Sequence, residues 1–249
     1  MIMKTTLTLF TFLALLGSSF AIMGFQGIEE ERELGESQLG GKGGKMYPTV
    51  KEIDLDAYSG EWFLAKASSK AVNSYLKDLT CVKAQYAPGK KSLFGLFKEV
   101  PILKVRNAGL KGAPDGELSS GEGAAWQFFP KYPGAFVLTM KPQDGKPIPP
   151  GFYRVLLLGD INDQGKYEWA VVQGGSSLFV LVRNVDKFKN SLEGGLLKIL
   201  GEKNLAGPSD LKDVYQGENC QYDRLFPTSA SMLRRVLELE DEEDFDFEE

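Results

Sequence analysis

The sequence predicts an all-β fold: an eight-stranded antiparallel up-and-down β-barrel with one C-terminal α-helix packed outside it. Between residues 62 and 184, short apolar or alternating runs are separated by Gly, Pro and Asp, the pattern of strands joined by tight turns. Eight such runs with short links suit a sheet that closes on itself, which removes exposed edges and at eight strands leaves an interior able to hold one small molecule. After the eighth run the period changes to that of one amphipathic helix, with Phe188, Leu192, Leu196, Ile199 and Leu200 on one face.

The expected strands, in order, are residues 62–67, 80–86, 102–107, 119–129, 135–141, 152–158, 166–173 and 178–184. The first follows a turn-like lead, Asp54-Leu55-Asp56-Ala57-Tyr58, and opens on Gly60-Glu61-Trp62. Gly60 permits a backbone geometry or close approach that a Cβ would block, and Trp62 supplies the largest apolar side chain, so this stretch reads as a plug at one end of the barrel. Residues 68–79 are too polar for core and long enough to lie across the other opening. Residues 109–116 are turn-rich, and 142–151 form a loop with four prolines. The last three runs, linked at 160–165 and 174–177, form a meander. Asp186 is expected to cap the helix and Gly207-Pro208 to end it, with Gly194-Gly195 weakening it internally. A short run over residues 214–222 then carries Cys220.

The barrel domain is expected over residues 47–226, flanked by segments of different character. Residues 1–21 carry one lysine, a short apolar run and small residues at −3 and −1 of a cut after Ala21, the pattern of a secretory signal peptide. The apolar run is too short to cross a bilayer. Residues 22–46 read as a disordered Gly-rich linker, and 227–249 as an acidic tail preceded by a brief amphipathic helix at 230–239. The reading is therefore a secreted or lumenal protein. Delivery to a plastid through a secretory first step is the alternative, with Ser19-Phe20 pointing toward it and the acids Glu29, Glu30, Glu31 and Glu33 pointing away.

Composition excludes several function classes. The 249 residues contain no histidine, which removes Ser-His-Asp and Cys-His catalysis and imidazole acid/base chemistry. Two cysteines, Cys81 and Cys220, cannot make a four-cysteine metal site; in an exported chain they most simply pair as one disulfide, and otherwise they are two buried thiols. No metal site and no cofactor are expected. Taking the nine acids of residues 238–249 from the total of 34 leaves the 29 bases in slight excess, yet no dense Lys/Arg stripe interleaved with aromatics appears, which argues against nucleic acid as a partner.

Taken in order, these residues resemble the lipocalin family. Gly60-Glu61-Trp62-Phe63 is similar to the family's first signature. The stretch Asp160 to Tyr167 leading into Trp169-Ala170-Val171-Val172-Gln173-Gly174 looks like the second, and Arg183 in Leu181-Val182-Arg183-Asn184 is similar to the third. The likeness covers residues 53–222 and is greatest to the apolipoprotein D, bacterial lipocalin and plant lipocalin group, on Thr80-Cys81-Val82-Lys83-Ala84-Gln85-Tyr86 and Glu218-Asn219-Cys220. The longer 160–165 turn, the 93–101 connection and the acidic tail depart from the pattern. The resemblance implies that Arg183 stacks on Trp62 at the closed end, with Gly60, Trp62, Tyr167 and Arg183 as structural signature residues and Trp62 as the floor of a pocket.

The resemblance also implies binding, transport or storage of a small hydrophobic ligand such as a fatty acid, sterol, retinoid or carotenoid. The residues support this independently: aromatics at 11% with no histidine and no clustered carboxylates suit an apolar pocket rather than a catalytic constellation. By alternation, the expected wall is Tyr86, Trp126, Phe128, Phe136, Leu138, Met140, Tyr153, Val155 and Trp169, with Tyr75 and Leu76 on the loop over the mouth; a one-residue slip of register reverses the choice. The alternatives are a lipocalin-fold enzyme acting on a lipid or carotenoid through Tyr, Asp or Glu, and an interaction module filled by its own side chains. No catalytic residue is assigned. A monomer is expected, with peripheral membrane contact left open.

Overall fold

Asp54 starts the ordered lead into the barrel by a local device. Its carboxylate accepts from the amides of Asp56 (2.8 Å) and Ala57 (3.1 Å), capping a one-turn helix, α1 (Leu55–Tyr58). Gly60 then takes φ +100°, which only glycine adopts without strain, and opens β1 (Gly60–Ser68). The computed structural model describes residues 47–92, 99–127, 131–141, 148–207 and 209–226. The signal segment, the Gly-rich linker, the acidic tail with its 230–239 helix, Phe128, and most of the 93–101 connection and of the proline loop lie outside the described residues.

After β1 come α2 (Ser69–Val72) and seven strands: β2 (Leu79–Ser92), β3 (Glu99–Lys111), β4 (Leu118–Trp126), β5 (Ala135–Met140), β6 (Gly151–Leu158), β7 (Trp169–Gly174) and β8 (Ser177–Val182). Each pairs antiparallel with the next. β1 closes the ring by pairing β8 on one side and β2 on the other, with Trp62 opposite Ala84. This is the eight-stranded up-and-down barrel that the run pattern predicts.

Several boundaries differ from expectation. β2 and β3 run well past 80–86 and 102–107, because the two pair continuously from Leu79↔Lys111 to Ser92↔Glu99. Gly109 to Lys111 therefore belongs to β3 rather than to a turn. β7 begins at Trp169 rather than at residue 166, since Tyr167 instead forms an isolated bridge with Ile161.

The outer helix runs through α3 (Val185–Lys187), a π turn (Phe188–Leu192) and α4 (Glu193–Glu202). Its cap is Asn184, whose side chain accepts from the Lys187 amide at 2.8 Å, not Asp186, which sits in the first turn. It ends at Glu202, ahead of Gly207. Phe188, Leu196 and Leu200 bury against the outward residues of β1, β7 and β8, Ala65, Val171, Val180 and Val182 among them. Beneath it Lys66 is ion-paired to Glu193 (2.6 Å) and Asp213 (2.7 Å).

A ninth strand, β9 (Leu211–Asp213), pairs with Lys66 to Ser68 of β1. At the closed half of the barrel β1 holds β2; toward the other half it exchanges β2 for β9. Gln216 then bridges the seam, donating to the carbonyls of Leu64 (3.0 Å) and Val82 (2.8 Å), and the Cys81 amide donates to Tyr215 O at 2.8 Å. A disulfide joins Cys81 to Cys220 across 139 residues and fastens this wedge to β2. Cys81 itself takes φ +55° at the irregularity in the β2–β3 register, so β2 bends away from β1 where the wedge enters.

Candidate functional site

The closed end is organised by Arg183, which follows β8 directly. Its guanidinium carbon stands 3.7 Å from the centroid of the Trp62 ring. The same group donates to the carbonyls of Ala57 (3.2 Å), Tyr58 (3.0 Å), Ser59 (2.8 Å), Glu61 and Tyr167 (3.3 Å). A planar fork of five N–H groups suits this many acceptors, and a lysine cannot match it. Burial lowers the Arg183 pKa to about 10, so it remains a cation at neutral pH. Trp62 is fully buried, and its indole N–H donates to Tyr58 O at 2.8 Å. Gly60 is required here: a Cβ would lie 3.3 Å from Arg183 Nη1. Tyr167 completes the end, its hydroxyl accepting from the Asp54 amide at 3.1 Å.

Above this plug lies a layer of three tyrosines. Tyr58, Tyr86 and Tyr153 come from α1, β2 and β6 and are 0%, 4% and 7% exposed. The hydroxyls of Tyr58 and Tyr153 are 2.5 Å apart, and Tyr153 donates to Tyr86 at 3.0 Å. Burial raises the pKa of all three, that of Tyr86 to about 12 and those of Tyr58 and Tyr153 well above the ordinary phenol value, so each is a neutral phenol. Phe136 packs edge-on to Tyr153 with centroids 6.2 Å apart.

Over the tyrosine layer the barrel holds a cavity of about 440 Å³. Small-molecule sites run from about 300 to 1,000 Å³. Its wall is formed by Leu64, Val82, Ala84, Leu138, Val172, Phe179 and Leu181, with Tyr86 and Tyr153 at the bottom and Tyr75, Leu76, Leu79 and Phe152 toward the mouth. Tyr75 and Phe152 are 58% and 52% exposed, so the rim presents aromatic rings to solvent. The polar lining is Lys83, Asn107, Ser119 and Ser120, with no Asp, Glu, His or Cys among the lining residues. Among the described residues no group of three His, Cys, Asp or Glu could hold a metal ion, and no helix is long and apolar enough to cross a membrane.

Of the residues expected from sequence to form the wall, Tyr75, Leu76, Tyr86, Leu138 and Tyr153 stand on it. Five others do not, and the reason differs for each group. Trp126 and Trp169 are on the outward face: the inward residues beside them are Ala125 and Ala170, which join the interior cluster, while Trp169 packs under the outer helix and over Gly159. These are one-residue slips of register. Phe136 and Val155 face inward but lie in the packed interior layer, 1% and 0% exposed. Met140 lies over Gly121 and Gly123 and is not on the cavity wall.

The wall positions missed include large residues, Leu64, Phe179 and Leu181 among them, and several small ones. On β4 the inward set includes Ser119 and Gly121, which leave space rather than fill it. Extending the alternation inward from Trp62 through Leu64, and from Tyr86 back through Ala84 and Val82, is the signal that finds the correct faces.

Among solved structures, the chain resembles insecticyanin from the tobacco hornworm Manduca sexta, with TM-score 0.50 and 16% identity over 72% of this chain and 89% of that one. It is also similar to the amine-binding protein of Rhodnius prolixus in its tryptamine complex (TM-score 0.49, 18% identity, 78% of this chain and 95% of that one) and to lobster apocrustacyanin A1 (0.46, 15%, 76% and 98%). At these identities the likeness is one of fold, and the fold is that of the lipocalins. No family model matches the chain, and no curated protein matches its sequence.

Proposed function

We propose that the chain is a lipocalin, nearest to the apolipoprotein D, bacterial and plant group, and that it binds, carries or stores a small hydrophobic ligand inside the barrel. One observation carries the reading: an apolar cavity of about 440 Å³ stands over a floor sealed by Trp62 and Arg183. A closed floor with an aromatic rim gives one way in. Burial of ligand surface at roughly 25 cal/mol per Å² supplies the affinity. The ligand contacts are Tyr75, Leu76, Tyr86, Leu138 and Tyr153 with Leu64, Val82, Phe179 and Leu181. A wall without carboxylate, histidine or thiol favours a carrier over an enzyme. Placing Cys81 on β2 against Cys220 in the C-terminal segment supports the subgroup.

The disulfide fits an oxidising compartment, and with the N-terminal sequence it supports a secreted or lumenal protein, delivery to a plastid being the alternative. The carrier works as a monomer. Solvent extraction of the purified full chain followed by mass spectrometry tests the binding reading. An enriched lipid or pigment is the expected result. No enrichment, together with no quenching of tryptophan by any added hydrophobe, would refute it. Imaging of a tagged full-length chain decides between export and plastid.

A further inference from the structure

The three buried phenols at the bottom of the cavity hold three protons and make two hydrogen bonds among themselves. Each phenol has a single proton to donate. Tyr153 spends its proton on Tyr86, so the short contact between Tyr58 and Tyr153 must be donated by Tyr58. The chain of donors therefore runs from Tyr58 through Tyr153 to Tyr86. It ends at Tyr86, whose own proton has no acceptor among the described residues. Tyr58 is sealed beneath and does not reach the cavity, whereas Tyr86 is on its wall. A buried donor without a partner is costly, and here the open space lies on the ligand's side.

We propose that Tyr86 is a ligand-orienting residue, and that the ligand class is an uncharged hydrophobe bearing an oxygen acceptor, bound with that oxygen down on the Tyr86 hydroxyl. The inference rests on the carrier reading and adds polarity and direction to it. An anionic head group is disfavoured at this depth. Arg183 is stacked on Trp62 and committed to backbone carbonyls, and Lys83, which also borders the cavity, is ion-paired to Glu61. One phenol donor in an apolar floor leaves a carboxylate largely desolvated. The raised pKa of all three phenols agrees, since it marks a place where negative charge is unfavourable. Asn107, the one side-chain amide among the lining residues, lies one inward step nearer the mouth, on the strand that pairs Val105 with Tyr86, and is half-buried.

The test uses retinoid probes that share one polyene body and are read by quenching of tryptophan: retinol, its hydrocarbon analogue anhydroretinol, and retinoate at pH 7.5. The full-length chain should bind retinol about five- to tenfold more tightly than anhydroretinol, the range for one hydrogen bond that satisfies a buried donor. Retinoate should bind no more tightly than the hydrocarbon. In Tyr86→Phe the retinol preference should shrink to within about twofold, with anhydroretinol bound at least as tightly as by the parent because the unpaired donor is gone. Equal affinities for retinol and anhydroretinol in the parent protein would overturn the proposal and leave the carrier reading standing, and this arm needs no variant to fold. Tighter retinoate than retinol would overturn its uncharged character, and an undiminished preference in Tyr86→Phe would overturn the assignment of the residue. Failure of all three probes to bind would overturn the proposal, and the carrier reading would then be decided by the solvent extraction.

Discussion

At the closed end of the barrel, β1 is held by β2 through regular pairing, and the carbonyls of Ala57, Tyr58 and Ser59 at the end of the α1 turn are taken up by one side chain, Arg183. Toward the mouth the same strand leaves β2, and the gap is filled by a segment from the far end of the chain that a disulfide and Gln216 hold in place. The first arrangement packs Trp62 with no space left over, whereas the second spreads the strands around a cavity. The contrast shows how one barrel can be closed at one end and open at the other. Polar saturation over a large ring makes a floor, and a covalently fastened wedge keeps the wider half closed in the absence of a packed core.

If the floor is the denser half, it should be the more sensitive one. Trp62→Ala should destabilise by about 3–5 kcal/mol, the range for emptying a buried aromatic site, measured by denaturant unfolding. A variant that melts like the parent but loses ligand would make Trp62 a ligand contact instead. Removing the disulfide with Cys81→Ala and Cys220→Ala should cost about 2–4 kcal/mol, less than its long loop alone would give because the Gln216 bridge remains. Arg183→Lys should cost about 2 kcal/mol, since an ammonium cannot reach the carbonyls of both the α1 turn and Tyr167 and leaves some of them unpaired. Both halves meet at the tyrosine layer, where pH separates them. Each of the three phenols stays protonated in the fold above pH 10, while the unfolded chain gives up its proton there. From the tyrosines the unfolded state then binds fewer protons, so their contribution is fully present below pH 10 and is lost as pH rises above it, while Arg183, whose pKa burial lowers to about 10, offsets part of the fall in the same range. Denaturant melts at pH 7, 10 and 11 should show this fall, with a shallower slope in Tyr153→Phe. Gly60→Ala should have the smallest effect, about 1 kcal/mol, from a side chain forced to positive φ beside Arg183.

The floor was legible in the sequence and the wall was not, for a physical reason. Gly60, Trp62 and Arg183 are chosen by a specific geometry, so their identities carry information at single positions. The cavity wall depends on which of two alternating faces turns inward, and no single residue announces that. Alternation started one residue off puts Trp126 and Trp169 on the wall, whereas they are on the outward face, where large rings cover the barrel or pack beneath the helix. The inward residues beside them are alanines, and Gly121 lines the space directly. The wedge at the seam was equally hidden. Cysteine pairing suggested a link between Cys81 and Cys220, but a three-residue strand paired with β1 has too little periodicity to announce itself. Likewise Asn184 and Asp186 are both acceptable caps, and only the backbone decides between them.

A carried hydrophobe must sit in the barrel cavity. Leu138 faces that space from β5 and is half-buried, so Leu138→Trp should fill it without disturbing the floor. Titration of the parent chain with retinol, followed by tryptophan quenching, should give one saturable site, and Leu138→Trp should weaken it at least about tenfold while melting within a few degrees of the parent. Unchanged retinol affinity in a folded Leu138→Trp variant would contradict a ligand site inside the barrel.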